Sequence, residues 1–422
     1  MKITLITLLA SLLANNINLN NENKFYCSFS DSKKILIKKS IKDFSNNEFT
    51  LYELEDGYAI YDSQGEFIEG SNGTQSSYYN ISKYDNLYYM GPGNYFYFYN
   101  GKLYKTQDSK EVNYNSLKGV SLKKNINEEH VTEGTLNTNV SRNSGGSSDG
   151  SSNTFIDSDG FTKIDNSYYF ENLSYFPDNY DGCCGVVATS ILLGYLDTFY
   201  NDNFISNNYY YPDDNGFSRK LINMGSADSE SSDYSFNNWI KMPGTNNSLK
   251  NYIMDNYMEL AIDLDWIDGY PMDGFAIYKT INNYLNGNYP SLINKISASY
   301  SSVALARTNI KSAINEGRPA LAVLLSYETD NGYNLDLTDL TGHVVVAYGY
   351  KIIDNNTCFL THFGWSPNQL IDTEIIINSG YFYGSYDVKY NGEHIHSSNV
   401  KMDCNYSYAY ICGCGHVSWP TC

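Results

Sequence analysis

The sequence predicts an α+β protein: a β-rich N-terminal segment, a break without structure, and a longer C-terminal region in which helices precede an antiparallel sheet. Three observations carry that prediction. First, residues 48–54, 57–61 and 66–69 alternate apolar and polar side chains with a period near two. The turn sequences Asp62-Ser-Gln-Gly65 and Gly91-Pro-Gly93 lie between such stretches. Second, residues 133–152 lose their apolar side chains and become rich in Ser, Gly and Asn, a composition that cannot bury enough surface to offset chain entropy. Third, beyond the break, apolar residues recur first at helical spacing and then in short continuous runs of strand length. Helices first and a sheet second is the α+β order.

Taken in order, residues 1–19 have the layout of a signal peptide: Met1-Lys2, an apolar stretch from Ile3 to Ala14, then polar Asn15-Asn16. The stretch is about 12 residues, too short to cross a bilayer. No later stretch is long and apolar enough to do so, so the expectation is a secreted or cell-surface protein with no membrane span. Residues 20–130 form the β-rich segment. Residues 131–153 form a flexible linker, the kind of exposed chain that proteases cut. Residues 154–422 form the second domain. Its expected helices cover 184–199, 248–258, 274–285 and 306–314, the last ended by Gly317-Arg-Pro319. Its expected strands cover 320–326, 343–350, 358–365 and 373–377.

Length and charge narrow the partners. At 422 residues the chain has room for two domains, and it is 42% apolar and 18% charged with a net charge of −19. That acidity argues against nucleic acid as a partner, because neutralising phosphates needs an excess of Lys and Arg. The 42 tyrosines, together with abundant Asn, are what an AT-rich coding sequence produces and carry no functional reading by themselves.

The chemistry rests on two segments far apart in sequence. Cys184 opens the apolar run Cys184-Gly-Val-Val-Ala-Thr-Ser-Ile-Leu-Leu-Gly-Tyr195, a cysteine at the start of a helix. A helix N-terminus stabilises the thiolate, the nucleophilic form. Gly185 lets a substrate approach closely. Gly342-His343-Val-Val-Val-Ala-Tyr-Gly-Tyr350 places a histidine at the start of an apolar strand. Imidazole is a base near neutral pH, and Gly342 clears room beside it. Each residue alone is more often core packing. Together they form the nucleophile and base of a thiol hydrolase. Cys183 competes with Cys184 for the nucleophile role, and the register of Ala188 and Tyr195 favours Cys184.

These segments resemble the papain-like superfamily of cysteine peptidases, and within it the streptopain family of secreted bacterial enzymes. The resemblance rests on Cys184, Ala188, Thr189 and Tyr195 in the helix. It also rests on Gly342-His343 leading to Gly349-Tyr350, on Gly317-Arg-Pro319 before a strand, and on His362-Phe-Gly364-Trp365 after the histidine strand. It covers roughly residues 160 to 380. The resemblance implies a papain-like fold whose helical half carries Cys184 and whose sheet half carries His343. It implies peptide or protein substrates, no cofactor, and an N-terminal pro-segment (residues 20–130, including 57–70) that covers the cleft until it is cut away.

Two positions depart from the family pattern. The residue that orients the base is there an amide or acid, whereas His362 stands here; a neutral imidazole can accept the same kind of hydrogen bond. The family's oxyanion donor is a Gln ahead of the cysteine, whereas no Gln lies near here and Asn179, five residues before Cys184, carries the same amide donor type, with the Cys184 backbone N–H as second donor. Trp365 is expected to shield the pair from water.

The remaining cysteines leave two readings open. Cys27 and Cys358 stand alone, and Cys404, Cys412, Cys414 and Cys422 crowd the C-terminus. An oxidising exterior permits disulfides there. With His416 the group also has zinc-binding donors, though without paired Cys-x-x-Cys knuckles. No metal enters the expected catalysis. Two other functions fit the same scaffold: a non-catalytic adhesin, and a cell-wall amidase or transglutaminase-like acyl transferase.

Overall fold

The computed structural model describes residues 34–81, 86–106, 109–122, 124, 154–171, 184–200, 210–212, 218–222, 274–288, 293–299, 303–324, 327–329, 342–364 and 374–390. These residues form a mixed α+β structure with a large sheet and few helices.

The N-terminal segment supplies strands β1 (Ile35–Lys42), β2 (Glu48–Leu54), β3 (Tyr58–Tyr61), β4 (Phe67–Ser71), β5 (Leu87–Tyr89), β6 (Tyr95–Tyr99), β7 (Lys102–Lys105), β8 (Glu111–Val112) and β9 (Val120–Leu122). The segments read as strands form β2, β3 and β4, which pair antiparallel in succession, but β3 and β4 are buried on both faces rather than alternating. The predicted turn between β3 and β4 closes on Asp62, whose carboxylate accepts the backbone N–H groups of Gln64 at 2.9 Å and Glu66 at 2.8 Å. Such local bonds are why Asp favours turns.

The C-terminal region supplies β10 (Thr154–Ile156), β11 (Thr162–Ile164), helix α1 (Cys184–Phe199), β12 (Tyr210–Pro212), β13 (Ser218–Ile222), helix α2 (Gly274–Asn288), β14 (Ile293–Ser299) and helix α3 (Val303–Asn315). There follow β15 (Ala320–Leu324), β16 (Tyr327–Thr329), β17 (His343–Ile353), β18 (Asn356–His362), β19 (Glu374–Asn378) and β20 (Phe382–Tyr390). Helix α1 has the predicted bounds. The helix predicted at 248–258 lies outside the described residues, as do the leader at 1–19 and the linker at 131–153.

Strand β17 runs past its predicted end and turns through Asp354 and Asn355, at φ 49° and 64°, into β18. Short polar side chains tolerate that left-handed backbone, which matches the twist of a tight hairpin. Strands β14 and β20 were not anticipated, because polar residues interrupt their apolar pattern. Their pairing with each other, and of β20 with β15, is tertiary.

One sixteen-stranded sheet joins the two regions, in the order β14-β20-β15-β17-β18-β19-β4-β3-β2-β1-β5-β6-β7-β8, with β10 and β11 attached through β17. The junction is the antiparallel pair β19–β4, with Ile376 opposite Gly70 and Ile377 opposite Glu69. A single hydrophobic core follows the sheet across this junction, from Ile41 and Leu51 through Ile376 and Phe359 to Ile191 and Leu196 on α1. A second contact lies elsewhere: β9 pairs with β16, just beyond the end of β15.

Helix α1 is buried on more than one face: Ser190 and Leu193 are buried along with Val187, Ile191, Leu192, Tyr195 and Leu196. Phe170 stacks on Tyr195 of the helix at 5.2 Å and on Tyr348 of β17 at 4.9 Å between ring centres, and so ties helix to sheet. Such offset aromatic contacts add to the area they bury. At the end of α3, Gly317 adopts φ 78°, a conformation open to glycine without cost. Its carbonyl accepts the hydroxyls of Tyr195 at 3.3 Å and Tyr200 at 3.4 Å. The Gly317-Arg-Pro319 segment thus anchors the helix that carries Cys184. No helix among the described residues is long and apolar enough to cross a membrane.

Candidate active site

Cys184 is the first residue of α1 and His343 is the first residue of β17. Both are therefore held by rigid elements at points where the chain has just entered regular structure. The Cys184 thiol is half-buried, and its Sγ lies 4.0 Å from the carbonyl oxygen of Gly342, the residue before His343. The structure thus brings the Cys184 thiol beside the residue that precedes His343. Helix N-termini present unpaired backbone N–H groups and favour negative charge, so the sulfur stands where a thiolate gains most. The other described cysteine, Cys358, is buried in β18, and burial pushes its thiol well above the ordinary range. Its environment suits packing rather than reaction.

His343 is 5% exposed and opposite Leu324 of β15. Its Nε2 lies 2.7 Å from the Phe363 carbonyl oxygen, and its ring packs at 4.3 Å from the Phe363 ring. A carbonyl can only accept, so Nε2 carries the proton and Nδ1 is left with the lone pair of a base. Burial lowers the imidazole pKa from 6.5 to about 4, against the opposing effect of the Phe363 carbonyl. The ring is therefore neutral over the physiological range.

His362 ends β18 and is buried, directly opposite Val346 of β17 and Glu374 of β19. The pairing of β15 with β17 is unbroken from Ala320–Ala347 to Leu324–His343. Side chains alternate along a strand, so His343 leaves one face of the sheet, while His362 shares the other face with Val346. The Nδ1 of His362 instead accepts the backbone N–H of Gly364 at 3.1 Å.

Asn179, Trp365 and the rival nucleophile Cys183 lie outside the described residues, as do Cys27 and the C-terminal cysteines. Among the described residues no cluster of His, Cys, Asp and Glu is arranged to hold a metal ion. The group that sequence reasoning missed is the Phe363 carbonyl, because a main-chain oxygen has no residue signature. The signal available was its position, between His362 and Gly364 in the motif already singled out. No family model matches the chain, and no curated protein matches it.

Proposed function

We propose that the chain is a secreted cysteine endopeptidase with a papain-like catalytic domain, made as an inactive precursor. The observation that carries this reading is the approach of the Cys184 sulfur to within 4.0 Å of the carbonyl that precedes His343. Cys184 gives its proton to Nδ1 of His343 and attacks the scissile carbonyl carbon. His343 then protonates the leaving amine, and water hydrolyses the thioester that remains. The Phe363 carbonyl holds the imidazole in the tautomer this requires. The Cys184 backbone N–H and Asn179 are assigned to the oxyanion, Gly342 to clearance for the substrate, and Trp365 to exclusion of water. No cofactor takes part.

Two features support a precursor. The strand pair β9–β16 attaches the N-terminal segment just past Leu324, the residue opposite His343, at the site's end of the sheet. Burial also holds His343 neutral, which disfavours the thiolate–imidazolium pair of an active thiol peptidase.

The test is casein hydrolysis after limited proteolysis and removal of the N-terminal fragment, with labelling by a cysteine-directed epoxide. Cys184→Ala is expected to remove activity by about 10⁴-fold or more while folding is kept, and Cys183→Ala to retain it. Activity lost in Cys183→Ala alone would move the nucleophile by one residue. Processed protein that neither takes label on Cys184 nor cleaves casein would favour a non-catalytic adhesin.

A further inference from the structure

We infer that His362 is a positioning residue for His343 that acts through one peptide group, the Phe363–Gly364 peptide, which bridges the two rings. The inference rests on the peptidase reading for its consequence but on geometry for its existence. The carbonyl of that peptide lies 2.7 Å from Nε2 of His343, and its N–H donates to Nδ1 of His362 at 3.1 Å. A peptide group is planar, with C=O and N–H pointing in opposite directions. Fixing the N–H from one side of the sheet therefore aims the carbonyl at the other. This resolves the placement of the rings on opposite faces: His362 need not touch His343 to orient it.

Gly364 makes the arrangement possible by adopting φ 76°, left-handed backbone in which a side chain is strained. A backbone N–H can only donate, so Nδ1 of His362 must carry a lone pair and the ring must be neutral with its proton on Nε2. A proton on Nδ1 would set donor against donor and release the peptide. Glu374 stands directly opposite His362 on the neighbouring strand, the closest kind of cross-strand neighbour, and accepts the Tyr348 hydroxyl at 2.5 Å.

Nitrogen-15 NMR of the two imidazoles in full-length Cys184→Ala protein tests the bridge without any need for activity. Both rings are expected as neutral Nε2–H tautomers, with slow exchange of the Gly364 amide. His362 found with its proton on Nδ1 would overturn the proposal. His362→Phe keeps a ring in the buried site but cannot accept; it should speed Gly364 exchange, mix the His343 tautomers and, in the processed enzyme, lower kcat on the order of 10- to 100-fold with KM little changed. His362→Ala replaces it if the Phe variant does not fold. His362→Asn places an amide oxygen near the Nδ1 position and should restore both the tautomer and most of kcat. Unchanged His343 tautomers and kcat in His362→Phe would leave His362 as packing. The expected spectra in a protein with no peptidase activity would keep the bridge and sink the enzymatic reading instead.

Discussion

Glu69 gives the sharpest test of how the N-terminal segment is held to the sheet. Its carboxyl is fully buried on β4, opposite Ile377 of β19, and Oε1 accepts the hydroxyls of Tyr95 at 2.6 Å and Tyr58 at 3.1 Å. Burial raises its pKa from 4.5 to about 7, and the tyrosine hydrogen bonds only partly offset this. The folded protein therefore holds a proton that the unfolded chain has released. Stability from this group is complete below pH 4.5 and is lost as pH rises through about 7. At about 1.4 kcal/mol per pH unit, the loss is about 3 kcal/mol.

His343 works in the opposite direction over nearly the same interval. Its folded pKa of about 4 lies below the ordinary 6.5, so stability grows by about 3 kcal/mol as pH rises across that window. In the parent protein these two contributions oppose each other between pH 4.5 and about 6.5. Glu69→Gln keeps an acceptor oxygen for the tyrosines and removes the titration. Relative to the parent, it should gain about 3 kcal/mol between pH 4.5 and 8. Urea unfolding of both proteins in a Cys184→Ala background, followed by far-UV circular dichroism at several pH values, measures this. Parallel profiles for the two proteins would refute the argument that burial of Glu69 at this seam stores free energy.

Two further outcomes are expected. The active species should begin between residues 131 and 156. After the cut the N-terminal fragment should stay bound, because β4–β19, β9–β16 and a shared core hold it. Activity should then appear only when that fragment is stripped off or degraded, as N-terminal sequencing and native mass spectrometry would establish; a fragment that separates on gel filtration without denaturant contradicts this. Arg318→Ala should cost about 3–5 kcal/mol in urea unfolding, because it strips buried Asp387 of a two-pronged partner at 2.9 and 3.2 Å. A cost below about 1 kcal/mol would class that pair with solvent-exposed ones.

Much of the site was legible where local chemistry decides it. Helix α1 begins at Cys184 and β17 at His343 because apolar periodicity and flanking glycines mark those boundaries in any context. The glycine-ended helix before β15 and the Asp62 turn were readable for the same reason. Strand β18 was placed but its end was not: it stops at His362, where the left-handed Gly364 turns the chain. Strands β14 and β20 were missed because their residues are polar enough to read as loop, and only pairing with neighbours makes them strands.

The sequence by itself determined the mixed α+β class and the places of Cys184 and His343 at the starts of α1 and β17, because helix starts and strand periods are encoded within a few neighbouring residues. Tertiary structure alone decided two things. One is that β4 completes the edge of β19, so that the N-terminal segment and the region bearing Cys184 share a sheet and a core. The other is that His343 is held by a backbone carbonyl while His362 lies on the opposite face. Strand register sets both, and register is a property of two segments distant in sequence. Shifting it by a single residue sends every side chain to the other face, and no local pattern records which alignment the fold adopts.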